Sequence, residues 1–218
     1  MHVTTIKLIS IISTKLHKLF CKMTSQTNRT VKKILSTKDL FGNKPTNVKK
    51  KYRRHEKGLE LYDKMTFDER LMRLTYVSEI YPKGILLTGD MEFVFTFGET
   101  KDCYVNGHFI STIMLAQSFI EKIFFDFFIK SNLEKQAKAG LDSMIKYARQ
   151  NQIINSLILD KIDSLRLKRN PFTHPKDWNY PHNLSNRIQK NKTQPHEQLE
   201  KDATEAIQVM FYLTSHKL

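Results

Sequence analysis

Within residues 109–130, eight apolar side chains recur at helical spacing: Phe109, Ile113, Ala116, Ile120, Ile123, Phe124, Phe127 and Phe128. A stripe this broad predicts a helix whose apolar face has to be covered by other helices or by a second subunit. The chain after it offers the cover. Ser131-Asn132-Leu133-Glu134 has the form of a capping box and opens a helix through Leu141, Met144, Ile145 and Ala148, ending near Arg149 to Asn151. A third helix is predicted over residues 153–168. After a polar, proline-punctuated insert at 175–193, Pro195 introduces a fourth, with Leu199, Ala203, Ala206, Ile207, Met210 and Leu213 on one side. Four such helices with short connections specify a mainly α fold, an antiparallel helical bundle.

The chain ahead of residue 107 divides differently. Thr66-Phe67-Asp68-Glu69 is another capping box, opening a helix with Phe67, Leu71, Leu74 and Val77 at helical spacing and ending at Tyr81-Pro82-Lys83-Gly84. Between residues 85 and 109 the period changes. Met91, Phe93, Phe95 and Phe97 alternate with other side chains between turn signals at Gly89-Asp90 and Asn106-Gly107, so a small β-hairpin is expected. The expected domains are therefore a basic arm at 1–58, a helix-plus-hairpin lead-in at 59–106, and the bundle at 107–218.

Charge separates the arm from the rest. Residues 1–58 hold 15 Lys or Arg against Asp39 and Glu56, a net of +13 within a chain of net +14. Such an arm draws polyanions by releasing their counterions, which makes RNA the expected partner and an anionic membrane surface the runner-up. Lys49, Lys50, Lys51, Arg53 and Arg54 are its densest cluster and the expected RNA contacts, and residues 24–58 are expected to be mobile. Residues 1–23 carry no acid and a short apolar patch, a weak fit to a presequence, and no apolar run approaches the roughly 18 residues of a membrane span. Two cysteines, Cys21 and Cys103, imply neither a disulfide framework nor a zinc site and fit a reducing, cytoplasmic setting.

Candidate chemistry gathers where the third bundle helix ends, in L-R-L-K-R-N-P-F-T-H at residues 165–174. Arg166, Lys168 and Arg169 close the helix, Asn170-Pro171 is expected to stop it, and His174 follows. The prolines after Asn170 and His174 are expected to keep the motif from forming one helical turn, with Asn170 capping a short turn from Pro171. RNA carries its own nucleophile, the 2′-hydroxyl. An imidazole with a pKa near 6.5 can take its proton and return one to the leaving 5′-oxygen, while a guanidinium neutralises the charge building on phosphorus. Arg169 and His174 are the expected catalytic pair, with Asn170 assisting and Arg166 and Lys168 adding contacts to RNA. No cofactor or metal is called for; His174, Asp177 and His182 match no familiar ligand spacing. Trp178 and Tyr180 have two readings: stacking on bases at the rim of a cleft, or packing against the bundle.

An Arg, a polar residue directly after it and a His at this spacing, at the end of a long helix with one more helix to follow, resemble the HEPN superfamily of small all-helical domains. The likeness covers residues 107–218, about half the chain. It implies a homodimer in which two copies of Arg169, Asn170 and His174 face one another. It also implies a metal-independent endoribonuclease of the kind found among toxins, paired with an antitoxin or regulatory protein, and among defence or RNA-processing factors. Other members keep the fold as a non-catalytic RNA-binding or protein-interaction module, the alternative for this chain.

Overall fold

The computed structural model describes residues 48–84 and 90–216. The readings made for residues 1–47, including the presequence and most of the arm, lie outside them. The chain divides into two compact units, Met1–Met65 and Thr66–Leu218. The eight helices of the described residues are α1 (Val48–Ile80), α2 (Met91–Val105), α3 (Phe109–Lys130), α4 (Glu134–Ala137), α5 (Leu141–Gln150), α6 (Ser156–Thr173), α7 (Leu184–Asn191) and α8 (Pro195–Ser215). None is long and apolar enough to cross a membrane.

A helical bundle is formed, and α3 lies at its centre. Phe109, Ile113, Ala116, Ile120, Phe124 and Phe128 are buried as their spacing requires, and Phe119 joins them. Helix α8 buries Ala203, Ala206, Ile207, Met210 and Leu213 against it. Ring contacts fix the directions. Phe93 stacks on Phe119 at 4.2 Å, and Phe97 meets Phe211 at 5.7 Å. Tyr104 donates to or accepts from Thr204 Oγ1 at 2.9 Å. Helix α2 therefore runs antiparallel to both α3 and α8, which run parallel to each other with Phe109 and His196 in contact at their starts. Arg166 pairs with Asp142 at 3.0 Å and Arg149 with Asp160 at 2.7 Å, so α5 and α6 are antiparallel.

The expected hairpin is absent, because residues 91–105 form α2. Asp90 caps it, its Oδ1 accepting from the Phe93 N–H at 2.7 Å. The alternation of Met91, Phe93, Phe95 and Phe97 coexists with a second pattern in which Phe93, Phe97, Thr100 and Tyr104 share one helix face. That face is the inward one: Phe97, Thr100 and Tyr104 are buried, while Met91 and Phe95 lie in water. The Asn106-Gly107 turn is present. Gly107 takes φ +76°, a left-handed conformation that costs glycine little.

Three helix boundaries also differ from expectation. Helix α1 begins at Val48, so the Lys49–Arg54 run is helical, and Thr66 lies within the helix rather than at its start. Its stripe of Phe67, Leu71 and Leu74 is exposed. The inward face is instead Arg73, Tyr76, Val77 and Ile80, with the Arg73 guanidinium 5.3 Å from the centre of the Phe109 ring. A cation whose stem packs and whose head pairs takes a place that an apolar count assigns elsewhere. After α3, Ser131 caps the end of a helix and does not open one. Gly140, at φ +84°, divides the expected second bundle helix into α4 and α5. The insert at 175–193 contains a further helix, α7, which the polar composition concealed.

Candidate active site at the end of α6

Helix α6 is capped by Asn155, whose Oδ1 accepts from the Leu157 N–H at 2.8 Å, and buries Leu159, Ile162 and Leu165. It does not stop at Asn170. Pro171 lies inside its last turn, because proline's φ is that of a helix and only one backbone hydrogen bond is lost. The turn closes on the Asn170 carbonyl, which accepts from the His174 N–H at 2.9 Å and the Thr173 hydroxyl at 3.2 Å. Asn170 therefore caps no new turn, and Arg169 to Thr173 are one continuous helical turn, contrary to expectation.

That continuity aligns the side chains. Arg169 and Thr173 are four apart and share a face, and Arg169 Nη1 donates to Thr173 Oγ1 at 3.1 Å. His174 ends the helix in an extended conformation and is exposed. Among the described residues Arg169 forms no ion pair. Its neighbours do. Arg166 is held by Asp163 at 2.7 Å and by Asp142, and Lys168 by Glu205 at 2.6 Å and Asp202 at 3.2 Å. The fold thus uses Arg166 and Lys168 internally and leaves Arg169 as the cation of the motif with a hydroxyl rather than a carboxylate beside it. Lys49, Lys50, Lys51, Arg53 and Arg54 belong to the Met1–Met65 unit; Arg53 and Arg54 are exposed.

Behind this turn lies a polar lattice that sequence reasoning missed. Asp202, on the inward face of α8, is fully enclosed and binds Arg187 of α7 through Nη1, with Lys168 and the Gln198 amide (3.1 Å) on its other oxygen. Arg187 also donates from Nε to the His182 carbonyl at 3.1 Å, which ties the insert to α7 and α8. Burial pushes the His182 imidazole below its ordinary value, and Arg187 and Lys168 act in the same direction. The available signal was Asp202 itself, an acid in phase with Gln198, Ala206 and Val209 on a stripe that has to be buried.

Between Arg166 and Lys192 the sequence has seven Lys or Arg and one acid, Asp177. Three of the seven are neutralised within the fold. Arg169, Lys176, Lys190 and Lys192 form no ion pair among the described residues, so this stretch of chain carries positive charge that no carboxylate pairing within them offsets. No group of three His, Cys, Asp or Glu among the described residues is placed to hold a metal ion. Comparison of the chain with family models, with curated proteins and with solved structures found no match.

Proposed function

We propose that the chain is a metal-independent endoribonuclease of the HEPN kind, acting as a homodimer whose two Arg169–His174 turns share one phosphodiester. The observation that carries this reading is the state of Arg169: a guanidinium with no carboxylate partner among the described residues, steadied by Thr173 and followed at the helix end by an exposed imidazole.

The steps follow from the groups. One His174 imidazole removes the 2′-hydroxyl proton. The 2′-oxygen attacks phosphorus as the bond to the 5′-oxygen breaks, and the His174 imidazolium of the second protomer protonates that leaving oxygen. The Arg169 side chains hold the non-bridging oxygens through charge-assisted hydrogen bonds and neutralise the added charge of the phosphorane. Asn170 orients the phosphate, and the basic residues of α1 recruit RNA by counterion release. Placement in the cytoplasm and pairing with an antitoxin or regulatory protein belong to the same proposal.

The test is incubation of the full-length protein with single-stranded RNA in EDTA. Arg169→Ala and His174→Ala should each lower the cleavage rate by about 10²-fold or more, the usual worth of a proton-transfer group or a charge-stabilising donor, with unchanged circular dichroism. Salt-sensitive RNA binding without turnover would assign the chain to the non-catalytic RNA-binding reading instead.

A further inference from the structure

Trp178 is the only tryptophan in the chain, and it is 87% exposed. Packing against the bundle, one of its two readings from sequence, is therefore not its role. It takes part in no ring or cation contact among the described residues. Tyr180, two residues on, is engaged, with Lys176 Nζ 5.5 Å from its ring centre and the His182 ring at 5.3 Å.

The backbone beneath the indole is tightly held. Asn186 Nδ2 donates to the carbonyls of Trp178 at 3.0 Å and Tyr180 at 2.8 Å, and Asn183 Nδ2 to those of Asp177 at 2.8 Å and Trp178 at 3.3 Å. The Tyr180 N–H closes a turn onto the Asp177 carbonyl at 3.0 Å. Two asparagines of the α7 start thus spend their donors on fixing a segment whose largest side chain faces water. Binding to a segment already ordered avoids much of the entropy cost of ordering a loop.

We propose that Trp178 is a stacking platform for an unpaired base of single-stranded RNA, next to the Arg169–His174 turn. The proposal rests on the ribonuclease reading for its location and names the substrate contact of that site. Charge favours this ligand, since Arg169, Lys176, Lys190 and Lys192, the cations flanking Trp178 in the chain, form no ion pair among the described residues. The neighbours of the indole also favour it. Its sequence neighbours Lys176, Asp177 and Asn179 are exposed and polar, which suits a ligand with polar edges better than the apolar patch that a protein partner buries. A flat base with polar edges needs only the ring face and cations nearby for its phosphates. Bases in a duplex are stacked on each other, which restricts the ligand to single strands. Trp178 follows His174 by four residues, within about 14 Å along the chain, a separation of a few nucleotides.

The experiment uses full-length protein carrying His174→Ala, so that RNA is not consumed. Titration with a short oligoadenylate should quench the single tryptophan in step with binding measured by anisotropy of the labelled oligonucleotide. Adding Trp178→Ala should weaken binding about 10-fold or more, as expected for loss of one stacked base, whereas Trp178→Phe should stay within about 3-fold. Saturated binding without quenching, absence of binding, or equal affinity in the Trp178→Ala protein overturns the platform. Cleavage by the wild-type protein is scored separately, so quenching without cleavage rejects the nuclease alone, and cleavage without quenching rejects the platform alone.

Discussion

Lys168 and Asp202 face one another at 3.2 Å between α6 and α8, and the carboxylate has no exposure to water. Lys168 immediately precedes Arg169, so the pair fixes the rotation of the helix turn on which the proposed chemistry rests. The second oxygen of Asp202 holds Arg187, which holds the His182 carbonyl. One buried acid thereby links the motif helix, the insert and the last helix.

Removal of that acid is expected to be severe. Asp202→Ala leaves Arg187, itself buried, without its carboxylate and should lower unfolding free energy by about 3–5 kcal/mol. The double substitution Asp202→Leu with Arg187→Met removes both buried charges and should recover part of that loss, as read from chemical denaturation midpoints. A double variant no more stable than Asp202→Ala contradicts the assignment of the loss to an orphaned charge.

Two glycines at positive φ should differ in their response to alanine. At Gly107 an added Cβ would lie 3.0 Å from Arg73 Nη1, whereas at Gly140 it meets nothing within 4 Å. Gly107→Ala carries the left-handed backbone cost of about 1 kcal/mol, and Gly140→Ala a larger one of about 1–3 kcal/mol, because ψ 169° puts Gly140 in a region that essentially only glycine adopts. Gly107→Ala additionally displaces Arg73 from its pairs with Glu69 and Glu200 and should cost about 1 kcal/mol more. An equal loss from Gly107→Ala in the wild type and in an Arg73→Ala background would remove the role given to the Gly107–Arg73 approach.

Stability should fall with acid in the histidine range. The His182 imidazole is held below its ordinary value of 6.5 by burial first, then by Arg187, Lys168 and Arg166, with Asp163 opposing. The unfolded chain therefore takes up this proton before the folded one does. The contribution of His182 is complete above pH 6.5, is lost as pH falls toward the lowered folded value, and then levels off. Urea midpoints measured from neutral pH down through that window should decline, and His182→Gln should flatten the decline. An unaltered slope in His182→Gln assigns it to other groups.

The sequence-legible parts of the fold are those where one physical demand dominates. On α3 and α8 the apolar positions recur along the whole helix and outnumber the polar ones on the same faces, Thr112 and Gln117 on α3 and Gln198 and Asp202 on α8, so most of them are buried as spaced. Helix α2 was misread because its inward face includes Thr100, a polar residue at a core position, so the period-2 alternation of Met91 to Phe97 stood out more than the helical period. The Thr66 capping box is a local signal that cannot show whether a helix is already under way. At the candidate site, the residues of the motif were legible and their geometry was not. Pro171 marks a stop by its missing N–H, yet its φ suits a helix, and the continued turn is what sets Arg169 beside Thr173. The ion pairs that occupy Arg166 and Lys168 are contacts distant in sequence, beyond the reach of spacing. The exposure of Trp178 is likewise settled only by where α7 pins its backbone.

The measurement that bears most directly on the central claim is the chemistry of the RNA ends made by the wild-type and His174→Ala proteins in EDTA. Attack by the 2′-hydroxyl under control of His174 predicts 2′,3′-cyclic phosphate and 5′-hydroxyl ends from the wild type and their disappearance in the variant. Ends bearing 5′-phosphate and 3′-hydroxyl, or cyclic phosphate formed at the same rate without His174, would contradict it.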